Sequence, residues 1–442
     1  MPIEAGSLKQ IGSFDNLVGS FRQLLESLPD NRTGKNIRYG MEDAALSAFS
    51  VFFTQTPSFL AFQRTMEKSK GCSNAQTLFG IHKLPCDNHI RDLLDPLKPT
   101  VLDSVFEQAF DLLESGGQLK SFQEFADNLL IAMDGTDYFS SSQIHCPQCS
   151  TRKLKSGEIR YFHTVVTPVI VSPNRTEVIP LVPEFVVPQD GYEKQDCENA
   201  AAKRWLWQQV AKYGRLKVTI LGDDLYCHQP LCQLLLEQQF NFILTCLPTS
   251  HKTLYEHLEG LSLPTVLRTR WTGKVKEIYT YRYLNQVPLK DGEDTLLVNW
   301  CELIVTRPDG KVVYKNSWAT NHLITNETVI EIVQAGRTRW KVENENNNTL
   351  KTKGYNLEHN FGHGKQYLAS FLASLNILSL LFHTVLELLD QKYQLLRAHL
   401  PTRKTFFDDL RALTRYLVFN SLDHLLTFMI QGLELDLPPN TS

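Results

Sequence analysis

The spacing of apolar residues divides the chain into regimes. Up to about residue 121, apolar side chains recur three and four positions apart in residues 14–28, 41–53 and 101–113, the period of amphipathic helices. Residues 74–94 predict two short helices about a turn at Leu84-Pro-Cys-Asp87. That pair suits a helix-turn-helix and equally an ordinary pair of packed helices. The pattern changes near Asp127, because residues 128–133 form an unbroken apolar run that ends in Asp134-Gly-Thr. Such a run reads as a strand buried on both faces. Residues 161–171 and 177–187 are β-rich and are separated by the turn Ser172-Pro-Asn-Arg. A helix over 196–213, capped by Asp196, leads to a second buried strand at 217–221 that ends in Gly222-Asp223. A helix over 230–239 and a strand over 240–247 follow. Residues 265–324, rich in Val, Tyr, Thr and Trp and carrying Asp291-Gly292 and Asp309-Gly310, predict antiparallel hairpins. Helical spacing returns over 327–353 and again from 365 to about 432.

The order β-β-β-α-β-α-β, with an acid ending the first strand and another ending the fourth, is that of an RNase H-like core. The expected fold is therefore α/β: a mixed sheet with flanking helices, a β-rich insertion, and helical regions at both ends. The corresponding segments are 1–121 (helical, a candidate DNA-binding region), 122–264 (first part of the core), 265–324 (insertion), 325–366 (second part of the core) and 367–442 (helical). In open α/β sheets, ligands collect at strand ends where the topology switches, so the two terminal acids stand at a favoured place.

Composition adjusts this picture in two ways. Lys and Arg total 45 against 48 for Asp and Glu, a net charge of −3, so contact with nucleic acid needs local basic stretches. Nine cysteines with no regular framework, behind a start lacking both a basic region and an apolar run, point to reduced thiols in a cytoplasmic protein. Residues 367–389 are apolar enough to raise a membrane span, but Asn376, His383 and Glu387 favour a core helix, and no membrane is expected as a partner.

Asp134, Asp223 and Glu343 are the sharpest candidates. Phosphodiester hydrolysis needs an activated water and charge neutralisation at the leaving oxygen, which two Mg²⁺ ions about 3.5–4 Å apart supply. Mg²⁺ takes oxygen ligands, usually a few carboxylates plus the substrate phosphate. Asp137, Asp224, Glu198, Glu345 and Glu358 compete nearby. Asp224 is expected to point away from Asp223, because neighbouring strand residues alternate faces. The segment 337–353 gathers Arg337, Arg339, Lys341 and Lys351 as candidate DNA contacts, with Trp340 read as core. Cys146-Pro-Gln-Cys149 is half of a zinc site, and His163 or Cys197 could complete it as a candidate structural Zn. His359 and His363 are placed either lining the site or filling the turn after the Glu343 helix.

Ile131-Ala-Met-Asp134-Gly-Thr, Ile220-Leu-Gly-Asp223-Asp-Leu-Tyr226 and Arg339-Trp-Lys-Val-Glu343-Asn resemble the three acidic motifs of bacterial insertion-sequence DDE transposases, in the group with a β-rich insertion before the final Glu. The likeness covers residues 127–366. It implies an RNase H-like fold, dependence on Mg or Mn, double-stranded DNA with terminal inverted repeats as substrate, and a homo-oligomer that synapses two ends in a bacterial cell. It also implies DNA cleavage at element ends and joining of the 3′-hydroxyls to target DNA. A Tyr, Arg, Glu, Lys signature often surrounds the last acid. Here Arg339 matches, Gly336 stands at the Tyr position, and Leu350 stands at the Lys position with Lys351 one step late. A structure-specific nuclease of the same fold and a catalytically silent DNA-binding relative are the alternatives.

Overall fold

Side-chain alternation along the central strands decides how the molecule is layered. The computed structural model describes residues 13–28, 30, 32, 37–66, 73–188 and 197–437. In chain order its strands are β1 (Leu129–Ala132), β2 (Gly135–Ser141), β3 (Ser150–Lys153), β4 (Ile159–Val166), β5 (Val169–Val171), β6 (Ile179–Pro180) and β7 (Glu184–Val186). After a helix at Glu198–Tyr213 come β8 (Val218–Gly222), β9 (Asn241–Thr245), β10 (Thr265–Trp271), β11 (Lys276–Pro288), β12 (Leu297–Thr306) and β13 (Val312–Thr320). The larger sheet has the order β10-β11-β12-β13-β9-β8-β1-β5-β6, and β2, β3, β4 and β7 form a smaller one. β1, β8 and β9 run parallel, whereas β5 pairs antiparallel with β1 and β6 with β5. The molecule is thus mixed α/β, with a large mixed sheet flanked by helices.

The sequence predicts single segments at 161–171 and 177–187, and the structure bends each between the two sheets. Thr167-Pro168 separates β4 from β5, and residues 181–183 separate β6 from β7. Proline has no N–H for a ladder, which favours such breaks. Met133-Asp134 likewise separates β1 from β2, and the Thr167 N–H donates to the Asp134 carbonyl at 2.9 Å to hold the bend. Asp196, the expected cap of the helix at Glu198–Tyr213, lies outside the described residues, and Cys197 takes the cap position.

Alternate residues of the sheet feed two separate cores. Leu129, Ile131, Met133, Val218, Ile220, Phe242 and Leu244 join the large core under the terminal helices. Leu130, Ala132, Leu221 and Ile243 join the other core with Val329, Ile332, Val333 and Val342. This is the period-two pattern of a sheet covered on both faces. On the first face, helix Met41–Phe53 lies against helix Leu368–Leu389, with Phe49 and Phe382 rings 4.9 Å apart. Helix Leu368–Leu389 is long and apolar enough to cross a membrane, yet 89% of its apolar window is buried inside the molecule, as a core helix requires. The candidate helix pair, Asn74–Phe79 and Asp87–Leu94, is also built into this core: Asn74 Nδ2 donates to the Thr414 and Leu417 carbonyls, and Arg91 Nε to the Phe361 carbonyl at 2.8 Å.

β10–β13 form the expected hairpins and extend the main sheet, because β13 pairs antiparallel with β9. Asp309-Gly310 makes the β12–β13 turn, where Gly310 takes a φ of +79°. The β10–β11 turn uses Gly273 instead, and Asp291-Gly292 sits in the longer connection between β11 and β12.

Candidate active site and metal centre

The two strand-end acids meet because their strands are neighbours in register. β1 and β8 pair Ala132 with Leu221, so two further steps bring Asp134 opposite Asp223. Alternation also sets their direction. Met133 belongs to the large core, and a Cβ on Gly222 would meet Tyr226 and Leu244 on that same side. Asp134 and Asp223 therefore face the opposite side, where residues 329–352 lie.

Those residues run as helix Val329–Arg337, a short irregular turn, a π turn at Val342–Asn347 and helix Asn348–Thr352. The first helix lies close on the sheet because Gly336 has no side chain: a Cβ there would come within 2.8 Å of the Trp318 ring. Arg339 Nη2 donates to Glu343 Oε1 at 2.7 Å, one α-turn apart. Without a π turn, the next step of four would drift further round the helix at about 100° per residue. The wide turn winds back, and Asn347 reaches the acids: its Nδ2 lies 3.4 Å from Asp134 Oδ2, while its Oδ1 accepts from Thr167 Oγ1 at 2.8 Å. π turns recur at functional sites for this reason.

Charge in this corner is lopsided. Burial first, and then Glu343, Asp223 and Glu198, push the Asp134 carboxyl up to about 7, with Arg339 opposing them. Burial also raises Asp223, against Arg339 and the backbone N–H groups of Leu225 and Tyr226. Glu198, at the start of its helix, lies against the Cα of Gly135, where any side chain would collide with its carboxylate. Burial, Asp223 and Asp137 raise it as well. The Tyr226 hydroxyl sits buried among these acids without a hydrogen-bond partner. Sequence reasoning ranked Glu198 among the competitors and passed over Asn347. A helix start and a residue four beyond Glu343 were the available signals.

The other acids turn elsewhere. Asp224 accepts from the Leu247 N–H at 2.7 Å and from Ser250 Oγ; β8 ends at Gly222, so the turn after it, and not strand alternation, directs Asp224 there. Glu358 pairs with Lys351 at 2.8 Å, and Glu345 is exposed.

The basic residues divide. Arg339 belongs to the acid cluster, with its side chain 11% exposed. Arg337 is exposed and covers the Tyr314 ring at 4.7 Å. Lys341 corrects its expectation as a DNA contact: its ammonium donates to the carbonyls of Ser172, Pro173 and Arg175, closing the loop after β5. Trp340 corrects another, being 59% exposed rather than core: it follows the turn after helix Val329–Arg337, where Val342 is the apolar residue that is buried.

A second cluster gathers at the smaller sheet. Cys146 Sγ and Cys149 Sγ are 3.9 Å apart, and His163 Nε2 lies 3.6 and 3.4 Å from them. His363 Nε2 adds a fourth corner, 3.6 Å from Cys149 Sγ. All four residues are buried. Zn–S bonds of about 2.3 Å and Zn–N bonds of about 2.0–2.1 Å in a tetrahedron require S···S near ~3.8 Å and S···N near ~3.5 Å. The donor set and its edges therefore fit a metal ion. The contact with Cys149, and then those with His163 and His363, lower the Cys146 thiol, while the same contact raises Cys149, so the pair favours a single thiolate in the absence of an ion. His163 sits here as the sequence suggests. Cys197 is exposed and outside the cluster, and His363, left without a partner by sequence reasoning, completes it.

The fold and site define an α/β protein with a carboxylate cluster at its parallel strand ends, beside a Cys/His cluster able to bind metal. No model of a known protein family and no curated protein matches the chain.

Proposed function

We propose that this protein is a DDE-type DNA transposase with an RNase H-like core. The observation that carries the reading is the facing of Asp134 and Asp223 across β1 and β8, with the Glu343 helix tied to Asp134 through Asn347. The strand order β6-β5-β1-β8-β9, antiparallel on one side and parallel on the other, supports the fold assignment.

Asp134, Asp223 and Glu343 would hold two Mg²⁺ or Mn²⁺ ions, since all three offer the oxygen donors these hard cations take. Burial and mutual repulsion raise Asp134, with Glu343, Asp223 and Glu198 acting on it, and a bound divalent cation would relieve that repulsion by favouring the ionised carboxylates. Bound there, the ions would activate the attacking oxygen and neutralise the leaving one. The chain's own groups position and shield. Asn347 orients Asp134, and Arg339 holds one oxygen of Glu343. Hydrolysis at an element end releases a 3′-hydroxyl, which then attacks target DNA with loss of the target strand's 3′-oxygen. The substrate is double-stranded DNA with terminal inverted repeats, bound by a homo-oligomer that pairs two ends. Exposed Arg337 and Trp340 beside the cluster suit phosphate and base contact.

The test is a labelled duplex of the element end, incubated with and without Mn²⁺, alongside Asp223→Ala. Metal-dependent cutting and joining, both lost in the variant, is the expected result. Cutting without joining points to a structure-specific nuclease, and binding without cutting to a silent relative.

A further inference from the structure

The edge that carries Asp223 has a reverse face. Cys227 follows the Asp223 turn, Cys246 follows β9, and His251 precedes helix Lys252–Leu258. Their ligand atoms all lie within 4.8 Å of one another, and the three residues are buried, with Cys227 1% and Cys246 0% exposed. Both thiols are free of disulfide bonds. His251 Nε2 is buried without a hydrogen-bond partner, and Asp224 Oδ1 stands 3.4 Å from it.

We propose that Cys227, Cys246 and His251 hold a second zinc ion, with Asp224 orienting the imidazole or taking the fourth position. Two thiolates and an imidazole form a soft set that selects zinc over the hard cations expected at the acids. A carboxylate beside a ligating histidine is the usual partner that fixes the ring. Without an ion, two buried thiols and the imidazole would crowd within 4.8 Å of one another, with the Asp224 carboxylate 3.4 Å from His251 Nε2 as the polar partner. The ion would tie the Asp223 turn to the end of β9, so neighbouring Asp223 and Asp224 would serve different metals on opposite faces of one sheet. The proposal does not depend on the phosphodiester chemistry.

The experiment counts zinc on the intact chain by native mass spectrometry, then repeats the count on Cys227→Ser/Cys246→Ser, His251→Gln and Cys146→Ser/Cys149→Ser. Two ions in the unsubstituted protein are expected, with one in each double-cysteine variant. His251→Gln should release its ion to a chelator at least tenfold faster. Cobalt exchange gives a second readout: thiolate-to-cobalt absorption should fall by half in either double variant. One zinc on the unsubstituted chain, or a count that Cys227→Ser/Cys246→Ser leaves unchanged, overturns the proposal. Because the first count needs no variant, a misfolded double variant does not decide the matter.

Discussion

The carboxylate cluster and the Cys146–Cys149–His163–His363 cluster are both groups of ligand-type side chains, and they are built in opposite ways. The Cys/His group closes on itself, every ligand atom within 4.8 Å of the others and every residue buried. The carboxylates spread from two strands to a helix, hold an Arg among them, and leave Glu343 41% exposed. A closed set of soft ligands serves the fold, since nothing else can approach its metal. An open set of oxygen donors keeps positions for a substrate phosphate and relies on that substrate to complete it. Closure, more than ligand count, separates a metal that stabilises from one that reacts.

Four measurements would break or sharpen this contrast. In the proposed role, Asp223→Ala should lower metal-dependent duplex cleavage by about 10³-fold or more while leaving the melting temperature within a few degrees, because that role lies in a reaction and not in a core. Cys149→Ser should do the reverse. Loss of the closed site should lower the melting temperature by about 10 °C and release one zinc per chain, with activity falling only as folded protein is lost. If Cys149→Ser melts like the unsubstituted protein, the cluster is not a structural metal site.

The third measurement concerns pH. Asp134 titrates at about 7 in the fold against an ordinary 3.8, so the folded state holds its proton longer than the unfolded chain does. Its contribution is fully present below pH 3.8 and is lost as pH rises through about 7. Without divalent cations at pH 8, Asp134→Asn should therefore raise stability by up to about 4 kcal/mol, and the gain should vanish at pH 3.5. Chemical denaturation at the two pH values checks this, and an equal gain at both would contradict it. The smallest effect belongs to Asn347→Ala. It removes the hydrogen bond to Asp134 and those from Thr167 Oγ1 and Asn346 Nδ2, and should lower cleavage about 5- to 20-fold with a stability loss of about 1–3 kcal/mol.

The sequence made part of this legible. Buried strands followed by Asp are visible from the apolar runs, whereas the separation of Asp224 from Asp223 comes from the turn after Gly222 and not from strand alternation. His363 was not legible, because it reaches Cys149 from 214 residues away and no local spacing announces it. Lys341 looked available for phosphate, since only tertiary contact brings the carbonyls of Ser172, Pro173 and Arg175 around it. Trp340 was misread because an aromatic on a helix is ordinarily core, whereas this one falls on the outer stripe. The bend at Thr167 was hidden because apolar residues flank Thr167-Pro168 closely on both sides.

The π turn after Glu343 has a consequence for how this chain is compared with others. An α-helix offers no room for an extra residue: either everything beyond it rotates by about 100°, or one wide turn absorbs it. Here one turn absorbs it. Leu350 remains in the interior at 0% exposure, and Lys351, with its side chain 25% exposed, takes the angular place that position 350 has in an uninterrupted helix. Under the proposed function, the lysine that stands one step late in the sequence would be on time in space, and aligning this segment to the acidic motif it resembles would need a gap inside a helix, between Glu343 and Lys351.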